Sequence, residues 1–288
     1  MNVDLRDRSA IITGANQGLG KAIAAEFLRA GAGVLLTARN EPLLREVQKE
    51  LHPLAQRGRP VEVMRADVSR PEDCQATADR AARDLPDLAV LVNNAGVYGP
   101  KGATEEVDWA EWEQAIRVNL FGTVLMCRAV IPLLRKRGYG KIINLSGGGA
   151  TAPMPRISAY AASKAAVVRL TDTLAEELKD AKVDVNAIAP GALNTRLLDE
   201  VLEAGPEKVG KAFYDRALRQ QKEGGAPPEK GAKLAAFLAS PQSDGITGRL
   251  ISAVWDDWAS LPSKREQLAG SDVYTLRRIV PEDRGMKW

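Results

Sequence analysis

Short apolar stretches rich in branched residues alternate along the chain with longer stretches whose apolar residues recur every three to four positions. The short stretches cover 10–12, 33–37, 61–64, 88–92, 141–145, 183–188 and 249–254. They carry little polar alternation, the pattern of strands covered on both faces of a parallel sheet. Ala22, Ile23, Phe27 and Leu28, and later Leu170, Leu174 and Leu178, have helical spacing between them. Repeated strand–helix units joined by right-handed crossovers predict an α/β fold: a three-layer, doubly wound, seven-stranded parallel sheet with helices on both faces. No Pro/Gly linker separates two halves, so residues 1–261 are expected to form one domain.

Two segments break the rhythm. Residues 192–240 read as helices interrupted by Gly224-Gly225-Ala226-Pro227-Pro228, with charges alternating in sign. That pattern suits either a solvated helical face or a lid over a substrate site. Residues 262–288 form an extension holding six basic and four acidic residues. Its Tyr and Arg residues, with Trp255 and Trp258 before them, suit contact with a neighbouring subunit or with the substrate mouth.

Composition narrows the function classes. Forty Lys and Arg against 37 Asp and Glu leave a net charge of +3, too balanced for nucleic acid or an anionic membrane as main partner. Two cysteines, Cys74 and Cys127, make no disulfide framework and suit a reducing compartment. One histidine, His52, leaves no basis for a His-rich metal site. The charged N-terminus has no signal-like apolar segment and no apolar run approaches about 20 residues, so a cytoplasmic protein is expected.

Candidate chemistry begins at the first loop, Thr13-Gly14-Ala15-Asn16-Gln17-Gly18-Leu19-Gly20, between the first strand and the first helix. Glycines there allow a sharp turn and let a pyrophosphate approach the free N–H groups of the helix start. The second strand ends in Ala38-Arg39. An acidic residue near this point would hold ribose hydroxyls, whereas Arg39 suits a 2′-phosphate and leans the cofactor towards NADP, with NAD still open. Further on, Tyr160 and Lys164 lie four apart on one face of a long helix. An adjacent ammonium favours the phenolate, which would make Tyr160 a general acid/base.

With these pieces the chain resembles the short-chain dehydrogenase/reductase family, in its single-domain branch. The resemblance rests on Thr13-Gly14-x-x-x-Gly18-x-Gly20, Asp67-Val68, Asn93-Asn94-Ala95-Gly96, Asn119, Tyr160-x-x-x-Lys164 and Pro190-Gly191-x-x-x-Thr195, spread over roughly residues 5–250 in the family's order. It implies a Rossmann-like fold and a homo-oligomer, dimer or tetramer, built through the helices of Asn119 and Tyr160. It places Asn16, Gln17 and Leu19 in the cofactor loop, Asp67 and Val68 at the adenine, and Asn94, Ala95 and Gly96 along the cofactor. Tyr160 would exchange a proton with the substrate oxygen, and Lys164 would hold the nicotinamide ribose and lower the Tyr160 pKa. Asn119 would anchor a water in the proton relay. Thr195, with the Pro190-Gly191 turn, would fix the carboxamide.

One departure stands at the centre of the site. The family's catalytic serine usually precedes the tyrosine with twelve residues between them, which is Gly147 here; Ser146 is one residue early and Ser158 faces elsewhere. Either the triple glycine after Ser146 kinks the strand so that Ser146 serves, or the enzyme works without the serine, or the protein is a non-catalytic NAD(P)-binding module. The leading expectation is an NADP(H)-dependent oxidoreductase acting on a small carbonyl or secondary alcohol. The rival enzyme is an NAD-dependent alcohol or sugar dehydrogenase.

Overall fold

The computed structural model describes residues 3–56 and 58–287. Seven strands, β1 (Ser9–Thr13), β2 (Gly33–Ala38), β3 (Val61–Arg65), β4 (Leu88–Asn93), β5 (Gly140–Leu145), β6 (Val183–Ala189) and β7 (Arg249–Ser252), form one parallel sheet in the order β3-β2-β1-β4-β5-β6-β7. Strand order reverses between β1 and β4, and the crevice outside the carboxyl ends of the strands opens there. The register runs Ser9↔Gly33 to Thr13↔Thr37 on one side of β1 and Ala10↔Val90 to Ile12↔Val92 on the other.

Every residue of β1, β2, β4 and β5 is buried, which is why these strands read as apolar runs without alternation. Alternate residues feed two cores. Ala10, Ile12, Val34, Leu36, Val90 and Val92 face the layer of α1 (Gly18–Arg29), α2 (Glu41–Leu51) and α9 (Pro228–Ala239). Ile11, Leu35, Leu91, Ile142 and Val185 face α3 (Pro71–Asp84), α5 (Gly122–Arg137) and α6 (Ser158–Glu177). Between β4 and β5, α4 (Trp109–Ile116) runs through a π-helical turn (Arg117–Phe121) into α5. This helical run, Trp109–Arg137, is long and apolar enough to cross a membrane by length and composition, but Met126, Cys127, Val130 and Leu134 bury one face in the second core.

The segment after β6 divides. Helices α7 (Arg196–Val209) and α8 (Lys211–Glu223) pack on each other through a small cluster of Leu198, Val201, Val209 and Ala217. Helix α9 is a core helix instead: Ala232, Leu234–Ala239 are buried and it packs along α1. The helical segment therefore contains a cover of two helices and a third that belongs to the sheet sandwich.

β7 stops at Ser252, two residues short of the apolar run, because the next residues turn. The Ser252 Oγ accepts from the amides of Val254 and Trp255, and the Ser252 amide donates to Asp256 Oδ2 at 2.7 Å. The extension then packs against its own sheet. A short helix, α10 (Arg265–Ala269), puts Leu268 in the core; Arg249 donates to the carbonyls of Leu268, Ser271 and Val273, and the Leu250 amide donates to Tyr274 O at 2.8 Å. The outward donors of this edge strand at 250 and 252 are thus satisfied within the chain, which closes the edge to pairing.

Candidate active site

The first loop is shaped by two close approaches. Gly14 has φ +63°, and a Cβ on Gly20 would sit 2.5 Å from both Gly14 O and Asn94 Nδ2, so neither position tolerates a side chain without movement. Asn94 explains the crowding. Its side-chain amide donates to Thr13 O and Gly14 O at 2.9 and 3.0 Å, while the amides of Asn94 and Ala95 donate to Thr13 Oγ1. Asn94 is therefore first a brace that locks the loop onto the end of β4. Gln17, the N-cap of α1, makes no side-chain capping bond, so the first-turn amides of a 12-residue helix lie at the cleft without a side-chain partner.

The loop opens into a cleft of about 870 Å³. Asn16, Gln17, Gly18, Leu19, Arg39, Asp67, Val68, Asn94, Ala95 and Gly96 line it with Gly14, and Tyr160, Lys164, Ser146, Pro190 and Thr195 line it further along. Gly20 and Gly191 shape it from behind: Gly191 has φ +91° and packs against Val254 and Ala226. Exposed Arg39 makes no hydrogen bond or ion pair among the described residues and borders the cleft beside Ala38. The Asp67 carboxylate is shaped by its own turn, Oδ1 accepting from the amide and hydroxyl of Ser69. On the far wall, Arg196, Leu197, Leu198 and Asp199 of α7 and Gln221 of α8 close over the opening, and Thr195 packs 3.4 Å from the position of a Cβ on Gly18.

At the chemical end, Tyr160 and Lys164 sit on the buried face of α6. Lys164 Nζ donates to Leu145 O at the end of β5 (2.6 Å) and lies 5.7 Å from the Tyr160 ring centroid. Burial brings the Lys164 ammonium down to about 8. Burial, reinforced by Tyr98, pushes the Tyr160 phenol up from its ordinary value. Desolvation is thus the dominant influence on the Tyr160 phenol, and the Lys164 ammonium beneath the ring is tied to a main-chain carbonyl.

The serine question has a geometric answer. Gly147 continues the line of β5 in extended conformation (φ 178°, ψ 178°), and the chain turns only after it, in the 3₁₀ turn Gly148–Ala150. The Ser146 amide keeps the sheet pattern by donating to Ile188 O, and its hydroxyl points to Lys164 O at 3.4 Å rather than to Tyr160. The space of a side chain at 147 is taken by the Tyr160 hydroxyl itself, well inside van der Waals distance of where a Cβ would be. Ser158 accepts from Trp112 Nε1 and stands apart from this group.

Asn119 sits in the π-turn, which widens the helix by a residue and aims the side chain at the β4 loop. Its Oδ1 accepts from the Val97 amide, and its Nδ2 donates to Val97 O and Ser163 Oγ, all at 2.9 Å. Both amide hydrogens are spent inside the protein, and Asn119 does not line the cleft. Its side chain acts here as a clamp on the loop.

Sequence reading missed Tyr98. Its ring meets Tyr160 edge to face, centroids 4.6 Å apart and planes at 72°, and burial raises its phenol to about 12. The only signal was its place two residues after Gly96.

A parallel sheet with a glycine loop at its switch point and a buried Tyr/Lys pair across one cleft define a dinucleotide-dependent oxidoreductase architecture. Residues 8–205 match the short chain dehydrogenase family. The chain is 36% identical to 3beta-hydroxysteroid dehydrogenase 1 of Eggerthella lenta over 249 residues, covering 86% of this chain and 92% of that one. Two solved structures share the fold. One is a 7α-hydroxysteroid dehydrogenase complexed with NADH and 7-oxo glycochenodeoxycholic acid, with 31% identity, coverage of 87% and 94%, and TM-score 0.76. The other is a gluconate 5-dehydrogenase from Burkholderia cenocepacia in complex with NADP and tartrate, with 27% identity, coverage of 87% and 95%, and TM-score 0.75. The chain belongs to the short-chain dehydrogenase family and is an NAD(P)-dependent oxidoreductase.

Proposed function

We propose that the chain transfers a hydride between NADP(H) and the carbonyl or secondary alcohol carbon of a small molecule, with Tyr160 as general acid/base. The observation that carries this reading is the single cleft running from the uncapped start of α1, past Arg39 and Asp67, to Tyr160 and Lys164. The residues fit the cofactor: the loop offers glycines where a Cβ would fill the cradle, amides for the pyrophosphate, and an unpaired guanidinium beside Ala38 where a 2′-phosphate would be read.

When bound, the nicotinamide cofactor supplies the hydride chemistry. The protein's part is positioning and proton transfer. In reduction, the protonated Tyr160, held neutral by burial, gives its proton to the substrate oxygen as charge develops there. Lys164, fixed by Leu145 O, holds positive potential beneath the phenol and supports the phenolate that remains. Thr195 and Pro190 would border the carboxamide, and Asp67 the adenine end. Gly147 withholds the hydroxyl that would otherwise share the substrate oxygen, so the chemistry rests on Tyr160 with Ser146 turned to the main chain.

In the same reading the protein works in the cytoplasm as a dimer or tetramer, with no nucleic-acid or membrane partner. The free, buried Cys74 and Cys127 support a reducing compartment, and the exposed Trp109, stacked on Trp112, and Phe121 support association along the α4–α5 run. The cofactor assignment is tested by paired fluorescence titrations with NADPH and NADH, on wild type and on Arg39→Ala. NADPH should bind at least about tenfold tighter than NADH, and the substitution should erase the difference, as expected for loss of a charge-assisted phosphate contact. Equal affinities in wild type would shift the reading to NAD.

A further inference from the structure

We propose that Tyr98 is the positioning residue that sets the Tyr160 phenol in the space left by Gly147 at the end of β5. The inference rests on the reading of Tyr160 as the acid/base. The phenol must be fixed in direction for proton transfer, since misplacement by about 1 Å costs around a hundredfold in rate. Nothing on β5 fixes it. Gly147 has no side chain, and the Ser146 hydroxyl is engaged with Lys164 O. Lys164 lies beneath the ring, with Nζ tied to Leu145 O.

Tyr98 is the aromatic side chain that meets Tyr160, edge to face at 4.6 Å. Aromatic pairs in this geometry hold each other's orientation beyond simple burial. Tyr98 is itself held on both flanks. Residue 97 is clamped by Asn119 through its amide and its carbonyl. Residue 99 is a glycine at φ +74° pressed so close to Ala115 that a Cβ would lie 2.6 Å from its methyl. Beyond the ring, Tyr98 packs on the Leu198/Val201 cluster of the cover, and Lys101 Nζ lies 5.8 Å from its centroid. The Tyr98 hydroxyl makes no hydrogen bond among the described residues, so the ring, not the hydroxyl, does the positioning. Asn119 thereby acts on the site through Val97 and Tyr98.

The test is carbon-13 NMR of ζ-labelled tyrosine, the Tyr160 resonance being assigned by its loss in Tyr160→Phe, together with NADPH-dependent reduction of 9,10-phenanthrenequinone as a probe. In Tyr98→Leu the Tyr160 resonance should shift and titrate at lower pH as water reaches the phenol. Its kcat should fall about ten- to a hundredfold while the NADPH Kd stays within about twofold. Tyr98→Phe should restore both readouts. Gly147→Ala, which crowds the phenol from the other side, should move the same resonance with Tyr98 intact. An unmoved Tyr160 resonance in Tyr98→Leu, or an equal loss in Tyr98→Phe, overturns the proposal. Correct NMR responses with a wild type inert towards the quinone would sustain the positioning role and count against the acid/base reading instead.

Discussion

The two ends of the cleft are built by opposite means. At the glycine loop the side chains that set its shape bond to main chain: Asn94 spans Thr13 and Gly14, and Thr13 Oγ1 takes two amides while donating to Val92 O. At the cover of α7 and α8 the ties run through side chains: the Lys101–Glu200 ion pair at 3.3 Å, the bond from Gln220 to Asn194 Oδ1 at 3.0 Å, and a bond from Arg156 to Glu207 O. Gly191, Gly205, Gly210 and Gly224, all at positive φ, punctuate that segment. Buried bonds between neutral groups are costly to break, whereas ion pairs at or near the surface contribute little. The glycine-loop end is thus rigid by construction, and the cover end is held more loosely.

Breaking the rigid end should have the largest effect. Gly20→Ala forces a methyl to 2.5 Å from Gly14 O and Asn94 Nδ2. Overpacking of this kind costs about 1–3 kcal/mol, and NADPH affinity should fall by more than tenfold, read by denaturant midpoint and fluorescence titration. Next comes the floor of the site. Lys164 titrates near 8 when folded against 10.5 when unfolded, so between those values the unfolded state binds the extra proton. The lysine's contribution to stability therefore rises as pH rises through that window. The stability difference between wild type and Lys164→Met, followed by urea unfolding from pH 7 to 10, should shift in favour of wild type above pH 8. Loosening the cover end should matter least for folding. Lys101→Ala removes a partly buried pair with Glu200 and should cost about 1 kcal/mol or less while changing KM more than kcat.

The same contrast explains what the sequence made legible. The strands were readable because a parallel sheet covered on both faces needs uninterrupted apolar runs, and the loop glycines because close approach permits nothing else. The bracing role of Asn94 and the clamp by Asn119 were hidden, since both depend on which main-chain groups the fold delivers to one amide. The orientation of Ser146 turned on whether the backbone stays extended at Gly147, which three consecutive glycines leave undetermined in sequence. Helix α9 shared a charged segment with the cover yet joined the core, because its run of Ala232 to Ala239 is apolar around most of its circumference. The extension's course along β7 was illegible for a different reason. Arg249 stands in the sequence only as the head of the last strand run, yet its guanidinium donates to three carbonyls supplied by the folded tail.

The central claim is that one buried phenol performs the proton transfer without a serine hydroxyl beside it. The direct test compares wild type and Tyr160→Phe for NADPH-dependent turnover on a panel of ketones and secondary alcohols, with NADPH Kd measured on both. Loss of turnover by about 10²- to 10⁴-fold at unchanged cofactor affinity is the predicted result. Turnover that survives in Tyr160→Phe would contradict it, and loss on Ser146→Ala instead would move the chemistry to that residue.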